Sequence, residues 1–345
     1  MPGHDIIAIG ASAGGVEALQ ALVRPLPRDL PAALFVVLHV PPDGMSVLPQ
    51  ILSRAGDLPA AHAIDGEPIV HGRIYIAPPD RHLIVEHGAV RVTRGPRENR
   101  ARPAVDPLFR SAARAYGPRV VSVILSGSLD DGTAGSMAVK QRGGISVVQD
   151  PEEALFVGMP TSALTNDRPD YSLPVYEISA LLIRLASEPV PEESDGKVPK
   201  ALEKEVKAAE LDMSEIDDPQ KNGSPSVFAC PECGGVLWEL HDGKMLRYRC
   251  RVGHAYTADS LLADQTDHLE ASLWAALRAL EEKAALAQRL HDRANERGNF
   301  AAAIRFAEQA TTAHHHAATV RALLVNGAPV AEAVDADIAA AQDDD

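Results

Sequence analysis

Three residue types that together support nucleophilic catalysis follow three apolar runs in this sequence. Ser12 lies in the turn GASAG after the run 6–9, His39 follows FVVL, and Asp130 and Asp131 follow VVSVILSGSL. A serine nucleophile needs a base and an orienting carboxylate. If the runs are parallel strands, their carboxyl ends share one edge of a sheet. The sequence therefore predicts a Ser-His-Asp group, in a chain order that differs from the Ser, Asp/Glu, His order of α/β-hydrolases.

Each of these residues also has an ordinary structural interpretation. Ser12 fits as the N-cap of a helix predicted from Val16. A glycine-rich turn also binds phosphate, although this one lacks the glycine pattern of a dinucleotide site and the Lys-Ser/Thr ending of a P-loop. His39 fits as a core histidine, and Asp130-Asp131-Gly132 fits as a turn or cap. The coincidence of all three at strand ends favours the nucleophile.

The elements that would position these residues alternate between short apolar runs and helical patterns up to about residue 186. Continuously apolar strands such as FVVL are typical of a parallel sheet covered on both faces. We expect a doubly wound, mostly parallel α/β domain over residues 1–186, with an antiparallel excursion at 73–93. The predicted strands are 6–9, 34–38, 73–76, 83–86, 90–93, 120–125 and 145–149, and the predicted helices are 16–23, 47–54, 107–116, 134–142 and 178–186.

Net charge, apolar stretches and cysteine positions indicate which partners and which cellular compartment to expect. The formal net charge of -15 argues against nucleic acid as the main partner. The sequence shows no signal-peptide pattern and no apolar stretch of the roughly 20 residues that a membrane helix needs. The three cysteines cluster between 230 and 250, which indicates a reducing compartment rather than a disulfide framework. We expect a cytoplasmic protein that does not insert into a membrane.

One segment, residues 91–119, is strongly basic although the chain is acidic. It fits either a solvated basic face or a surface that meets an acidic protein partner. Its arginines are Arg91, Arg94, Arg97, Arg100, Arg102, Arg110, Arg114 and Arg119, against only Glu98 and Asp106.

Several motifs occur in the order and spacing of one known family. IAIGASAGGVEAL, HVPPDG, DGEPIVHGRIYIAPPDRHL, NRARPAVDPLF, VVSVILSGSLDDGTAG and FVGMP, over roughly residues 5–186, together resemble the catalytic domain of the chemotaxis protein-glutamate methylesterases, the CheB family. The resemblance implies hydrolysis of γ-glutamyl methyl esters on a chemoreceptor or receptor-like protein, often with glutamine deamidation, and no catalytic cofactor. A separate signalling or methyltransferase partner is compatible with it.

The resemblance also implies roles for particular residues. The family triad falls on Ser12, His39 and Asp131, where Asp131 is chosen over Asp130 because the family aspartate directly precedes a glycine. Backbone N–H groups of Ala13 and Ser128 are the expected oxyanion donors. The basic segment supplies three candidate substrate-binding residues, Arg97, Arg100 and Arg102.

Two departures from the family pattern support a different hypothesis. The family loop T-G-M-G-x-D-G is here SGSLDDG, in which Leu129 replaces a glycine. Typical members also carry a receiver domain, whereas this sequence begins at the first catalytic strand, so we expect no phosphorylation switch in cis. The alternatives are a weakly active or inactive signalling adaptor that recruits partners through its C-terminal part, and a nucleotide-binding regulator that uses the glycine turn.

The C-terminal part carries a candidate metal site. Cys230-x2-Cys233 and Cys250-x3-His254 match the paired spacing of a structural zinc site with four protein ligands. We expect a zinc-ribbon-like module at 227–258 that binds a protein partner. The alternatives are three reduced thiols in a β-hairpin module, or His241 or His268 as the fourth ligand.

Three further segments complete the predicted organisation. Residues 187–226 are rich in Pro, Ser, Gly and acid and predict an acidic flexible linker, with a short charged helix at 201–211. Residues 259–326 predict a helical hairpin broken at Gly298-Asn299, and residues 327–345 an acidic tail. The expected apolar stripe of its first helix is Leu262, Leu269, Leu273, Ala276, Leu280 and Ala287, too irregular for an extended coiled coil.

Overall fold

The computed structural model describes residues 3–44, 46–190, 197–210, 223–240 and 245–326. The chain divides into two compact units, Met1–Leu262 and Ala263–Asp345. The acidic tail at 327–345 and His241 lie outside the described residues.

A seven-stranded parallel sheet lies at the centre of the first unit. Its order is β3-β4-β2-β1-β7-β8-β9, and β5 and β6 form a separate antiparallel hairpin. The doubly wound α/β prediction is confirmed, while the two three-residue edge strands β3 and β9 were not predicted. The antiparallel excursion expected at 73–93 is limited to β5 and β6, because β4 pairs parallel with β2 and β3. The strands are β1 (Ile6–Ala11), β2 (Ala33–Leu38), β3 (Ala60–His62), β4 (Arg73–Ile76), β5 (His82–Glu86), β6 (Ala89–Thr93), β7 (Val120–Ile124), β8 (Ile145–Gln149) and β9 (Tyr171–Leu173).

Helices cover both faces of this sheet. One core cluster joins the sheet to α1, α2 and α6, and a second joins it to α3, α4, α5, α7 and the β5–β6 hairpin. Burial on both faces explains why the central strands are apolar at every position. The helices are α1 (Gly15–Val23), α2 (Leu48–Ala55), α3 (Val105–Tyr116), α4 (Thr133–Gln141), α5 (Gly158–Asn166), α6 (Val175–Ser187) and α7 (Lys200–Ala209).

Helix α7 lies in the segment interpreted as a flexible linker. It is amphipathic, and its Leu202 and Val206 are buried in the second core cluster. Its last residue, Ala209, accepts a hydrogen bond from Thr93 Oγ1 at 3.0 Å. This part of the segment is therefore packed helix, because the apolar spacing at 202, 206 and 209 gives it a face to bury among otherwise charged residues.

A small antiparallel sheet follows in the same unit. Its four strands pair in chain order, β10 (Ser224–Ala229), β11 (Val236–Leu240), β12 (Arg247–Cys250) and β13 (Ala255–Thr257). A core cluster of its own includes Leu237, Tyr248 and Tyr256. We call residues 223–257 the Cys/His module.

Two long helices follow, α8 (Ala258–Glu296) and α9 (Phe300–Asn326), on either side of a turn at Gly298. The side chains buried on α8 and α9 are mostly alanines, while the expected stripe residues Leu262 and Leu269 are exposed. Alanine lets two helices approach closely, so small residues rather than leucines form this seam. Beyond residue 264, the buried positions are Leu277, Ala284, Ala287, Ala294, Ala303, Ala310, Ala313 and Ala317. No described helix is both long and apolar enough to cross a membrane.

Candidate active site

The pairing of three adjacent strands places the predicted chemical residues at one edge of the sheet. Beyond the ends of the strands, His39 N donates to Ala11 O (3.1 Å) and Ser12 N donates to Ser126 O (3.0 Å). Ser12 follows β1, His39 follows β2, and Asp131 follows β7. Because β1 lies between β2 and β7, this edge is the point at which the strand order reverses, where open α/β sheets form ligand sites.

The structure brings Ser12, His39 and Asp131 into hydrogen-bond contact. His39 Nδ1 lies 3.2 Å from Ser12 Oγ, and His39 Nε2 lies 2.8 Å from Asp131 Oδ2. The Asp131 carboxylate only accepts, so Nε2 carries the proton and Nδ1 presents its lone pair to the Ser12 hydroxyl. The imidazole is 21% exposed and the carboxylate 2%. The arrangement has a half-buried serine that lines a groove and a buried carboxylate on the far side of the histidine.

Ser12 is not the N-cap of the first helix, as the alternative interpretation proposed. The N-cap of α1 is Gly14, with φ of 70°, and no side chain caps this helix. The left-handed turn at Gly14 starts α1 late enough to leave the Ser12 hydroxyl directed at His39. A Cβ on Gly14 would also lie 2.7 Å from Ser126 Oγ.

Asp131 is ionised although it is buried. Burial raises its pKa, but hydrogen bonds from His39, Val105 N and Asn99 more than offset this, and the net pKa lies below the ordinary value. Val105 N donates to Oδ2 at 2.7 Å, and Asn99 Nδ2 donates to Oδ1 at 3.0 Å. Asp106 N donates to Oδ1 at 3.2 Å. Both carboxylate oxygens are thus held by donors.

The neighbouring acids behave differently. Burial, followed by the charge of Asp131, raises the pKa of Asp106 to about 6. Burial chiefly, with a smaller contribution from Asp106, raises the pKa of Asp130 to about 7, against the lowering effect of a hydrogen bond from Thr257. Asp130 is bonded to the Cys/His module, with its Oδ1 at 2.7 Å from Thr257 Oγ1, whereas the carboxylate bonded to His39 is that of Asp131.

The two predicted oxyanion donors are Ala13, which directly follows Ser12, and Ser128, which lines the same groove as Ser12. Among the described residues, the N–H groups of Ala13 and Ser128 donate no hydrogen bond. Ser126 Oγ donates to Ala13 O at 2.8 Å and accepts from Phe156 N at 2.9 Å, which connects the loops that follow β1, β7 and β8. Free N–H groups beside a nucleophile are the donors that a developing oxyanion requires.

Leu129 keeps the backbone conformation that a glycine would adopt. Its φ is 60°, in the left-handed region, and its side chain is 37% exposed. A leucine there costs about 1–2 kcal/mol in local strain. Leu129 thus adopts, at the expense of stability, a backbone conformation that glycine adopts without strain.

The three candidate substrate-binding arginines line the groove of about 410 Å³ that opens above Ser12 and His39. Two of them already hold carboxylates of this chain. Arg102 binds Asp80 through Nε at 2.8 Å, and Arg97 binds Glu232 at 2.9 Å. The charge of these two arginines is therefore largely used within the protein. Arg100 lines the same groove.

Most arginines of the basic segment 91–119 form ion pairs with acids inside the first unit. These acids offset much of its charge, while the side chains of Arg91 and Arg94 remain 46% and 60% exposed. Several of these acids come from α7 and the Cys/His module. The ion pairs are Arg91–Asp65, Arg94–Asp80, Arg97–Glu232, Arg102–Asp80, Arg110–Glu98, Arg110–Glu205, Arg114–Glu210 and Arg119–Asp5.

The Cys/His module gathers the four predicted metal ligands. The ligand atoms of Cys230, Cys233, Cys250 and His254 all lie within 4.8 Å of one another. The Cys233 and Cys250 sulfurs are 3.7 Å apart, and His254 Nδ1 is 3.6 Å from Cys250 Sγ. Ligands of one tetrahedral zinc ion, with Zn–S of about 2.3 Å, are separated by about 3.8 Å. The donor set therefore fits zinc. His268 instead bonds the backbone of Asp264 in α8.

Sequence reasoning missed one residue of the site. Asn99 is buried and bridges Asp131 and Asp106. Its only sequence signal was its place in NRARPAVDPLF, since an asparagine four residues before a proline has no catalytic pattern of its own.

A Ser-His-Asp group at the carboxyl edge of a doubly wound sheet has the architecture of a serine hydrolase site. The family model described as "CheB methylesterase" matches residues 7–182, about half of the chain. The chain belongs to the CheB methylesterase family.

Named relatives and a solved structure agree with this assignment. The chain is 39% identical over 189 residues to protein-glutamate methylesterase/protein-glutamine glutaminase 1 of Rhodospirillum rubrum, covering 53% of this chain and 49% of the relative. It is 33% identical over 190 residues to the corresponding enzyme 2 of Methanosarcina mazei, covering 53% and 52%.

The structure of the Thermotoga maritima CheB methylesterase catalytic domain matches with a TM-score of 0.51 and 37% identity, covering 52% of this chain and 98% of that one. The chain spans about half the length of the curated relatives it matches.

Proposed function

We propose that this protein is a protein-glutamate methylesterase that hydrolyses γ-glutamyl methyl esters on a chemoreceptor-like protein. The observation that carries the proposal is the contact of Ser12 Oγ with His39 Nδ1, continued from Nε2 to a buried, ionised Asp131. It is supported by the names of the relatives, which include both methylesterase and glutaminase.

In the first step Ser12 Oγ attacks the ester carbonyl carbon while His39 Nδ1 takes the hydroxyl proton. Asp131 holds the protonated imidazole through Nε2 and balances its charge. The N–H groups of Ala13 and Ser128 receive the oxyanion. Collapse of the tetrahedral intermediate breaks the C–O bond to the methoxy group, which leaves as methanol with the proton from His39.

In the second step a water molecule attacks the γ-glutamyl ester of Ser12. His39 removes a proton from this water and returns it to Ser12 Oγ, which releases the glutamate side chain. Glutamine deamidation uses the same sequence with ammonia as the leaving group. Both reactions need no cofactor. The proposed substrate partner is a methylated receptor, met in the cytoplasm. A separate signalling or methyltransferase partner is also part of the proposal.

Zinc in the Cys/His module belongs to the proposal as a structural ion. Cys230, Cys233, Cys250 and His254 would hold it, and four protein ligands leave no position for a reacting water. When bound, the ion cross-links the β10–β11 and β12–β13 turns and supplies folding energy. Metal analysis of the purified chain tests this: about one zinc per chain is expected, falling to none in Cys233→Ser with Cys250→Ser.

Methanol release from methylated chemoreceptor tests the catalytic proposal, with Ser12→Ala as the variant. We expect release by the unaltered chain and a loss of at least about 10³-fold in the variant, as when a triad member is removed. Ser53→Ala, at an exposed serine whose hydroxyl bonds the backbone of Ala60, is the matched control and should keep full activity. If the folded, zinc-loaded wild type releases no methanol, the proposal is refuted and the adaptor hypothesis is favoured.

A further inference from the structure

Asn99 occupies a junction between the triad and the Cys/His module. On one side its Nδ2 donates to Asp131 Oδ1 and to Asp106 Oδ2, both at 3.0 Å. On the other side its Oδ1 accepts from Thr257 N at 3.1 Å and from Ser260 Oγ at 3.2 Å. Thr257 ends β13, and Ser260 lies in the first turn of α8.

This set of partners fixes the direction of the amide. A side-chain amide has two N–H donors and an oxygen with two lone pairs, and Asn99 uses all four. The opposite orientation would place its oxygen against two carboxyl groups and its NH₂ against the Thr257 N–H. The residues of the module and α8 therefore decide which end of the amide faces Asp131.

The backbone on both sides of this contact is held as well. Asn99 N donates to Ala255 O at 2.8 Å, and Ala255 N donates to Arg97 O at 3.2 Å. Asn99 has φ of 49°, in the left-handed region that asparagine tolerates better than most residues. The segment 97–99 is thereby attached to β13 one residue after His254, a predicted metal ligand.

The junction is buried and capped. Ser260 and Thr257 are 0% and 1% exposed. Thr257 Oγ1 donates to Asp130 Oδ1 at 2.7 Å and accepts from Ser260 N at 3.2 Å, as an N-cap does. Two consecutive aspartates of the loop after β7 are thus held from the same place, Asp130 by Thr257 and Asp131 through Asn99.

We propose that Asn99 is a positioning residue for Asp131, and that the β13–α8 junction holds Asn99 in place through Thr257 and Ser260. The Cys/His module is then an integral part of the hydrolase site and not a separate docking domain. Asp131 Oδ1 faces away from His39, so a donor there sets the angle at which Oδ2 meets the imidazole. The inference rests on the proposed methylesterase activity for its kinetic readout only.

The test compares four zinc-loaded full-length variants. Ser260→Ala removes one donor to Asn99, Asn99→Ala removes the bridge, and Ser260→Thr keeps the hydroxyl. Ser179→Ala is the matched control, because Ser179 is also fully buried but bonds Leu22 O on the opposite face of the sheet. The readouts are kcat and KM for methanol release, the melting temperature, and the NMR signal of the His39 Nε2 proton that bonds Asp131.

We expect Ser260→Ala to lower kcat about tenfold and Asn99→Ala about a hundredfold, with KM within about twofold, because sub-ångström displacement of a catalytic group acts on the transition state. Both should shift or broaden the His39 proton signal. Ser260→Thr should restore kcat and the signal, and Ser179→Ala should lower the melting temperature without moving either.

Other outcomes separate this inference from the proposed function. Unchanged kcat and an unchanged His39 signal in both Ser260→Ala and Asn99→Ala would overturn the positioning role. An equal loss of kcat in Ser179→Ala would also overturn it, because a general loss of stability would then explain the effect. A wild type that releases no methanol, but whose His39 signal moves in Ser260→Ala, would refute the methylesterase and leave the positioning role supported.

Discussion

Two buried carboxylates, Asp131 and Glu98, lie where the α/β core meets the Cys/His module, and they are held in opposite ways. Glu98 is 1% exposed and is bound by Arg110 at 2.5 Å and by Arg249 at 3.3 Å. Burial raises its pKa, but the charges of these two arginines lower it below the ordinary value. Asp131 is equally buried, yet its donors are two backbone N–H groups, an amide and one histidine.

The difference separates a structural carboxylate from a reactive one. Guanidinium groups keep their proton at any ordinary pH, so the charge of Glu98 is neutralised permanently. Neutral donors hold Asp131 without neutralising it, so its charge is available to the imidazolium that forms on His39 during the reaction. The partner set, and not the degree of burial, decides which role a buried acid takes.

The largest expected effect comes from neutralising the reactive carboxylate. Asp131→Asn should lower kcat by about 10⁴-fold, because the amide stabilises the wrong histidine tautomer, with little change in overall shape. Steady-state methanol release with circular dichroism as the folding control measures this. Asp130→Asn should retain most of the activity, and equal losses in the two variants would show that Asp131 holds no special place.

Neutralising the structural carboxylate should act on stability instead. Glu98→Gln leaves Arg110 and Arg249 buried beside an uncharged group and should lower the free energy of unfolding by about 3 kcal/mol. Urea unfolding measures the loss. Glu203→Gln is the control, since Glu203 pairs with Arg114 at 3.8 Å and is 39% exposed, and should cost less than about 0.5 kcal/mol. If Glu98→Gln leaves the free energy of unfolding unchanged, Glu98 is not a structural carboxylate and its distinction from Asp131 fails.

A third buried acid, Asp130, is bonded to the Thr257 hydroxyl and differs from both Asp131 and Glu98 in the effect of pH on stability. The pKa of about 7 means that the folded chain keeps a proton that the unfolded chain releases. Stability should therefore fall as pH rises from about 4 to about 7. Asp130→Asn should flatten this dependence and raise stability by roughly 2 kcal/mol at pH 8, with little effect at pH 4. Urea unfolding at both pH values measures it. The exposed Asp57→Asn should leave the slope unchanged, and a slope that persists in Asp130→Asn would assign it to another group.

The smallest effect concerns the loop between Ser128 and the two aspartates. Leu129→Gly removes left-handed strain of about 1–2 kcal/mol but adds about 0.5–1 kcal/mol of freedom to the unfolded chain, so a net gain of about 0.5 kcal/mol is expected. Thermal unfolding measures it. Leu155→Gly, at a 71% exposed leucine without a positive φ, should lose stability. A Leu129→Gly protein that also loses stability would show that the side chain contributes more than its strain costs.

The sequence predicted best those site residues whose positions follow from short motifs or from the ends of strands. Ser12, His39 and Asp131 each come directly after or shortly after a central strand, and parallel pairing brings such ends together. The Cys/His spacing likewise predicted four residues that the structure gathers. Strand periodicity and short-range motifs carry this information without knowledge of the tertiary fold.

Contacts between distant segments could not be predicted in the same way. The arginines of 91–119 fitted a solvated face or a surface for a partner because acids that pair with them lie far along the chain: Glu205 is about 95 residues from Arg110, and Glu232 is 135 residues from Arg97. Asn99 had no chemical signal because its function depends on Thr257 and Ser260. Tertiary packing decides which acids pair with the arginines and which hydroxyl groups bond Asn99. A single sequence does not show which of its many acids and hydroxyls will be near them.

Thr257 is the last residue of one sheet and the cap of the following helix, and this sets where the chain can be divided. A truncation after residue 186, just beyond the end of the family match at residue 182, would remove every partner of Asn99 that lies outside the α/β core. A chimera that exchanged everything after His254 would replace Thr257 and Ser260 together with the helices. We therefore expect the shortest active fragment to end near residue 262, where the first unit ends. A chimera that exchanges the long helices should be joined at the same place.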